Sequence, residues 1–233
     1  MLGLLILLII SWLLLHYSMG EKLKVLGFYP IKKSLMQFII GFFVIVLISL
    51  ISIYIETLVL KTKWQLNTIN FSTLASAFWY HLKSALTEDL VFRGALLYVL
   101  IHKIGSNKAI LLSAIVFGIY HWFSYGILNE RLIVLIYVFV ITGFTGYVWA
   151  YSFFKTKSMM LGLGFHLGVN FINSCFFESQ PHGQLLFEEI TKLSLRDWNW
   201  LWFNLFKGLF PSIMTLLFVI QYLKQKSKTT NTN

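Results

Sequence analysis

The side chains able to do chemistry in this chain fall within three apolar stretches. The first reads Thr87-Glu88-Asp89-Leu90-Val91-Phe92-Arg93-Gly94, two acids and a base in an otherwise hydrophobic run. Asp89 and Arg93 are four residues apart and can pair on one helix face. Glu88 is one position off that pair, so it can project towards another helix while Arg93 still compensates part of its charge. The second stretch, Phe117-Gly118-Ile119-Tyr120-His121, sets Phe117 and His121 on a common face, with Gly118 permitting close approach of a neighbouring backbone. The third, Gly164-Phe165-His166-Leu167-Gly168-Val169-Asn170, puts His166 and Asn170 on one face over a Gly-xxx-Gly pattern that suits close helix packing. A structural ion pair, a packed histidine and interhelical polar glue explain most of these residues; the second carboxylate is what such explanations leave over.

A carboxylate in a low-dielectric pocket beside a cation is a candidate general base. Two histidines and an asparagine supply partners for a water nucleophile and donors for the oxyanion that forms when water attacks an amide carbonyl. The implied reaction is peptide hydrolysis. A Glu and two His could also hold zinc with a position open for water, but the HExxH spacing that sets two His on one helix is missing. No GxSxG element is present, and Ser84, Ser113 and Ser124 have no nucleophile context.

The elements that carry these residues are set by composition. Of 233 residues, 58% are hydrophobic and 12% charged, more apolar surface than one globular core needs. Apolar runs at 2–17, 35–57, 72–102, 108–127, 132–153, 158–177 and 203–223 each approach the length that crosses the hydrocarbon layer, about 20 residues. The expected fold is all-α, a polytopic transmembrane bundle of about seven spans, helical nearly throughout. The first run has no basic segment before it and no small-x-small site before Glu21, so it is expected to be a retained anchor. At about 1.5 Å rise per residue, Glu88, His121 and Asn170 each lie about 20 Å from the lysine at the same end of their spans, and His166 about 14 Å. The candidates thus share one slab, as a single site requires.

The net charge of +10 follows this topology and calls for no nucleic-acid partner. Loops after spans one, three and five, with the tail, hold eleven of the nineteen basic residues and one acid, Glu21, whereas the opposite loops hold six of each sign. The positive-inside rule then puts the N-terminus outside and the C-terminus in the cytoplasm. The segment 178–200 is expected to be external, with Leu185, Phe187, Ile190, Trp198 and Trp200 at the interface. The lone Cys175 excludes an intramolecular disulfide, and the tail from Lys224 to Asn233 has the composition of a disordered segment.

In order and spacing, Glu88-Asp89-x-x-x-Arg93, Phe117-x-x-x-His121 and His166-x-x-x-Asn170 resemble the three motifs of the CPBP family, the CAAX prenyl protease 2 (type II CAAX endopeptidase) and bacteriocin-processing family also called Abi. The first motif of that family usually has two glutamates, and Asp89 stands at the second. The resemblance covers about residues 72–177, a core of four helices flanked by N-terminal helices and loops over 1–71 and by an external loop, a last span and the tail over 178–233. It implies Glu88 as the base that activates water, His121 helping to position that water, His166 and Asn170 as the oxyanion site, and Arg93 orienting the carboxylates. No cofactor is required on the glutamate-type mechanism, and zinc on the metalloprotease one. The partners implied are the lipid bilayer and a membrane-associated protein or peptide substrate. Two other functions fit polar residues in a membrane bundle: a noncatalytic immunity or binding member of the same fold, and a transporter or proton relay, which predicts inverted repeats or broken helices.

Overall fold

The computed structural model describes residues 2–230, with side chains as far as Lys224. Eight α-helices dominate it: α1 (Leu2–Met19), α2 (Ile31–Leu60), α3 (Phe71–Phe92), α4 (Ala95–Ile104), α5 (Ser106–Ser124), α6 (Leu132–Thr156), α7 (Met160–Phe176) and α8 (Asp197–Thr230). The tail read as disordered from Lys224 is therefore helical to Thr230, and 231–233 lie outside the described residues. Four segments are long and apolar enough to cross a membrane: Leu2–Met19, Leu23–Leu60, Leu132–Thr156 and Asp197–Lys224. The chain is a membrane protein. The other three expected spans correspond to α3 with α4, to α5 and to α7. These hold all six candidate site residues, and polar side chains together with short length, 17 residues in α7, take them below a plain spanning helix.

The expected single helix over 72–102 is broken. α3 stops at Phe92, Arg93 leaves helical geometry, and Gly94 turns the chain (φ −91°, ψ −135°) into α4. A break inside a membrane protein frees carbonyls that must find donors. One is supplied across the bundle, where Ser113 Oγ of α5 donates to Phe92 O over 2.8 Å.

α7 is the central helix. Its residues Leu161 to Gly168 form an unbroken buried run, while large apolar side chains on α1, α2 and α8, such as Leu5, Phe43 and Leu217, are turned outward as a lipid-facing surface requires. α2 packs on α7 backbone to backbone at Gly41 and Gly164. A Cβ on Gly164 would run into Phe38 O and one on Gly41 into Leu161 O, so the small-residue spacing read from the sequence is used for close approach, with α2 as the partner.

The loops gather at two ends. At one end Met159 N donates to Leu26 O and Ser158 Oγ to Gly27 O, joining two of the lysine-bearing connections. The other end departs from an all-helical chain. β1 (Lys63–Leu66) and β2 (Phe187–Thr191) pair antiparallel, with Leu66 opposite Phe187, and tie the loop after α2 to the loop before α8. This ribbon sits on the end of α7, where the Phe187 and Phe176 rings stack at 4.7 Å and Trp64 meets Phe176 edge-on at 5.4 Å. Trp198 and Trp200, expected in a loop, fall in the first turn of α8 and are exposed, as is Ile190. Glu56 and Lys207, counted as loop charges, form a 2.7 Å ion pair between α2 and α8, with Glu56 buried.

Candidate active site

The last turn of α3 delivers Glu88 and Asp89 to the centre of the bundle. Arg93 Nη1 donates to Asp89 Oδ1 over 2.9 Å, the i, i+4 pair expected from the spacing, and both side chains are 2% exposed. The guanidinium then lies between aromatic rings, its carbon 3.7 Å from the centroid of Phe117 and 4.9 Å from that of Trp149. Arg93 Nε and Nη2 and Asp89 Oδ2 have no hydrogen-bond partner among the described residues. The ring faces supply part of the compensation that hydrogen bonds do not.

His166 of α7 joins this pair to Glu88. Its Nδ1 lies 3.3 Å from Asp89 Oδ1 and its Nε2 3.7 Å from Glu88 Oε2, so one imidazole bridges the two consecutive carboxylates. The Trp149 ring covers it at 4.4 Å. Ser84 Oγ, one turn before Glu88, donates to Glu88 Oε1 over 3.4 Å. His121 of α5 contributes differently: a carbonyl oxygen only accepts, so Nδ1 donates to Phe117 O over 2.8 Å, and the lone pair of the neutral ring is left on Nε2.

His121, His166 and Asn170 line one cavity of about 370 Å³ that also takes in Asn173, Thr145 and Tyr125. Glu88 is not among the lining residues; its Oε2 lies 3.7 Å from Nε2 of His166, which is. No direct hydrogen bond joins His121 to Glu88 or to His166, and Arg93 forms its ion pair with Asp89 rather than with Glu88. All six residues singled out from the sequence thus belong to one cluster or its adjoining cavity, though Glu88 meets His166 and not His121.

Three participants carried no signal strong enough to be picked out. Trp149 sits in a span with no polar motif. Ser84 shows only as a serine one turn before Glu88. Asn173 was open to discovery, since it follows Asn170 by three residues on the same apolar helix. Among the described residues no three His, Cys, Asp or Glu are arranged to share a metal ion. Asp89, the carboxylate nearest His166, is already engaged by Arg93.

The class this defines is a polytopic membrane protein with a buried carboxylate–imidazole–guanidinium cluster bordering a polar cavity. Residues 70–172, from the cap of α3 to the last turns of α7, match the family described as Type II CAAX prenyl endopeptidase Rce1-like, a match that supports a CAAX-type intramembrane protease fold. No curated protein and no solved structure gives a match.

Proposed function

We propose that the protein is an intramembrane endopeptidase that hydrolyses a peptide bond of a membrane-associated protein or peptide, with water activated by Glu88 as nucleophile. The observation that carries this proposal is the bridge from Glu88 through His166 to the buried Asp89–Arg93 pair, at the wall of a cavity large enough for part of a peptide. His166 sets one nitrogen towards each carboxylate, Nδ1 at Asp89 and Nε2 at Glu88.

Asp89 holds His166 at Nδ1, and the ring's Nε2 side is turned to Glu88. Glu88 takes a proton from water and the hydroxide oxygen bonds to the amide carbon. His121 Nε2 accepts a hydrogen bond from the same water and holds it in place. Asn170 and His166 donate to the oxyanion as it forms. Collapse breaks the C–N bond, and Glu88 passes its proton to the leaving nitrogen. The orientation that accompanies it has the N-terminus outside and the C-terminus in the cytoplasm.

The broken helix at Arg93–Gly94 is the feature a transporter would share. Its Phe92 carbonyl is capped by Ser113, and the cavity lining includes Phe117 and Trp149, the two rings that enclose Arg93. An aromatic lining of this kind suits a reaction site better than a path. The test is a deletion strain complemented with wild type or Glu88→Gln, comparing membrane-bound and released peptides. Precursors that persist with Glu88→Gln are the expected result; identical peptide profiles with equal protein levels would overturn the proposal.

A further inference from the structure

We infer that the substrate enters the cavity from the ribbon end of the bundle, the extracytoplasmic face, and that the peptide cleaved is the extracytoplasmic flank of a membrane-anchored peptide rather than a cytoplasmic tail. This deepens the endopeptidase proposal and rests on it for the chemistry, while the access face rests on the cavity alone.

Five elements contribute to the cavity wall, and all five point it the same way. On α7 the lining runs from His166 through Asn170 and Asn173 and leaves the helix at its ribbon end, passing into the loop at exposed Ser179. The wall on α5 climbs towards that helix's C-terminal end, and that on α2 runs towards the ribbon. On α6 the lining runs from Tyr137 to Trp149 and on α8 from Asn204 to Thr215, each starting towards the ribbon loops and stopping short of the lysine-bearing end. No residue of the lysine-bearing loops lines it. Phe117 and Trp149 flank His166 in the deep part, and Asn173, Ser179 and Gln180 line the part nearest the ribbon loops. From Phe177 to His166 is eleven residues of helix, about 16 Å, a depth that about five residues of extended chain cover.

The sides of the bundle differ in charge in the way that sets membrane orientation. The ribbon side holds six basic and six acidic residues, and the far side eleven basic residues against Glu21. The two basic loops that meet at Met159 and Leu26 belong to that far side. Counted over short loops, this difference makes the far side cytoplasmic. A cavity whose lining reaches the loop at Ser179 and Gln180 and none of the lysine-bearing loops then receives its peptide from outside.

The wall also indicates what kind of peptide fits. Asn170, Asn173 and Asn204 offer carboxamides that both donate and accept, which is what the N–H and C=O groups of an extended chain need once they leave water. Among the described lining residues Lys207 is the one lysine or arginine, and Glu56 neutralises it. The segment drawn in is therefore expected to be uncharged near the scissile bond.

Two measurements decide the point. In a Cys175→Ser background, intact cells carrying Ser179→Cys or Gln180→Cys are treated with a membrane-impermeant maleimide, alongside Lys103→Cys and Lys157→Cys. Labelling of the first pair in intact cells, with the second pair labelled only after lysis, is expected; the reverse pattern overturns the inference. The precursors that accumulate with Glu88→Gln are then sequenced. Cleavage positions on the extracytoplasmic side of the anchor support the inference, and positions on the cytoplasmic side overturn it while leaving the endopeptidase intact. If wild type and Glu88→Gln show the same precursors, the endopeptidase proposal fails and labelling alone still decides the access face.

Discussion

The guanidinium of Arg93 lies 3.7 Å from the centroid of the Phe117 ring, so the cation that serves the α3 carboxylates is held in place by the helix that carries His121. Because Arg93 bonds to Asp89, and Asp89 to His166, this contact fixes three helices around one charge network.

Removing that cation should be the most damaging single change for stability. Arg93→Ala leaves Asp89 buried without its partner, and breaking a buried pair costs about 3–5 kcal/mol. Arg93→Lys keeps the charge but loses the planar stack on Phe117 and Trp149, and should recover only part of the loss. Thermal unfolding in detergent, with expression level measured in parallel, checks the order wild type, Lys, Ala.

Glu88→Gln and Asp89→Asn should separate activity from stability. The Gln variant keeps size and hydrogen bonding at a side chain that is 16% exposed, so the protein should fold normally while peptide cleavage collapses. Sequence alone gives Asp89 only its pairing with Arg93 and so ranks Asp89→Asn as the milder change. The structure gives it His166 as well, and the Asn variant should lose both unfolding temperature and activity. Paired melting and cleavage assays on the two variants make the comparison.

Asn170→Ala should lower the rate of cleavage about 10²- to 10³-fold, the usual effect of removing one oxyanion donor. Because the carboxamide acts on the transition state, the loss should fall on kcat with KM little changed. Asn173→Ala, one turn nearer the mouth in the same cavity, should instead raise KM. Steady-state kinetics on a peptide recovered from the Glu88→Gln strain distinguishes the two.

What the sequence discloses and what it hides follow from the range of the interactions. Asp89 and Arg93 are four residues apart, so the helical period alone predicts their pair. The three motifs at a shared depth give the site its membership, because rise per residue is fixed. The partner of His166 is 77 residues away, and nothing in a local pattern says that its imidazole meets α3 carboxylates before it meets His121. The break after Phe92 is hidden for a related reason. Its carbonyl is satisfied by Ser113 from another helix, so the local sequence reads as one apolar run through 102. The ribbon is hidden too, since its strands are four and five residues long and lie 120 or so positions apart.

The last prediction sets two glycines against each other, Gly146 on α6 and Gly162 on α7. Replacing either by Ala removes a helix penalty of about 1 kcal/mol, so propensity alone predicts that both variants gain stability. The surroundings decide otherwise. A Cβ on Gly162 meets Trp149 O at 3.6 Å, an ordinary contact, and Gly162→Ala should be neutral or slightly stabilising with activity retained. A Cβ on Gly146 would stand 2.8 Å from Phe117 Cδ1 and 3.2 Å from Arg93 Nη2. The Phe117 ring has little room to yield, because Arg93 stacks on it and the His121 ring packs against it at 4.4 Å. Overpacking of this kind costs about 1–3 kcal/mol, more than the propensity gain. Gly146→Ala should therefore lower the unfolding temperature and, by shifting Phe117 and with it Arg93 and His121, lower cleavage by more than the lost stability accounts for. Parallel melting curves and cleavage rates for the two variants test this, and equal behaviour of Gly146→Ala and Gly162→Ala would show that Phe117 is not held as tightly as its contacts require.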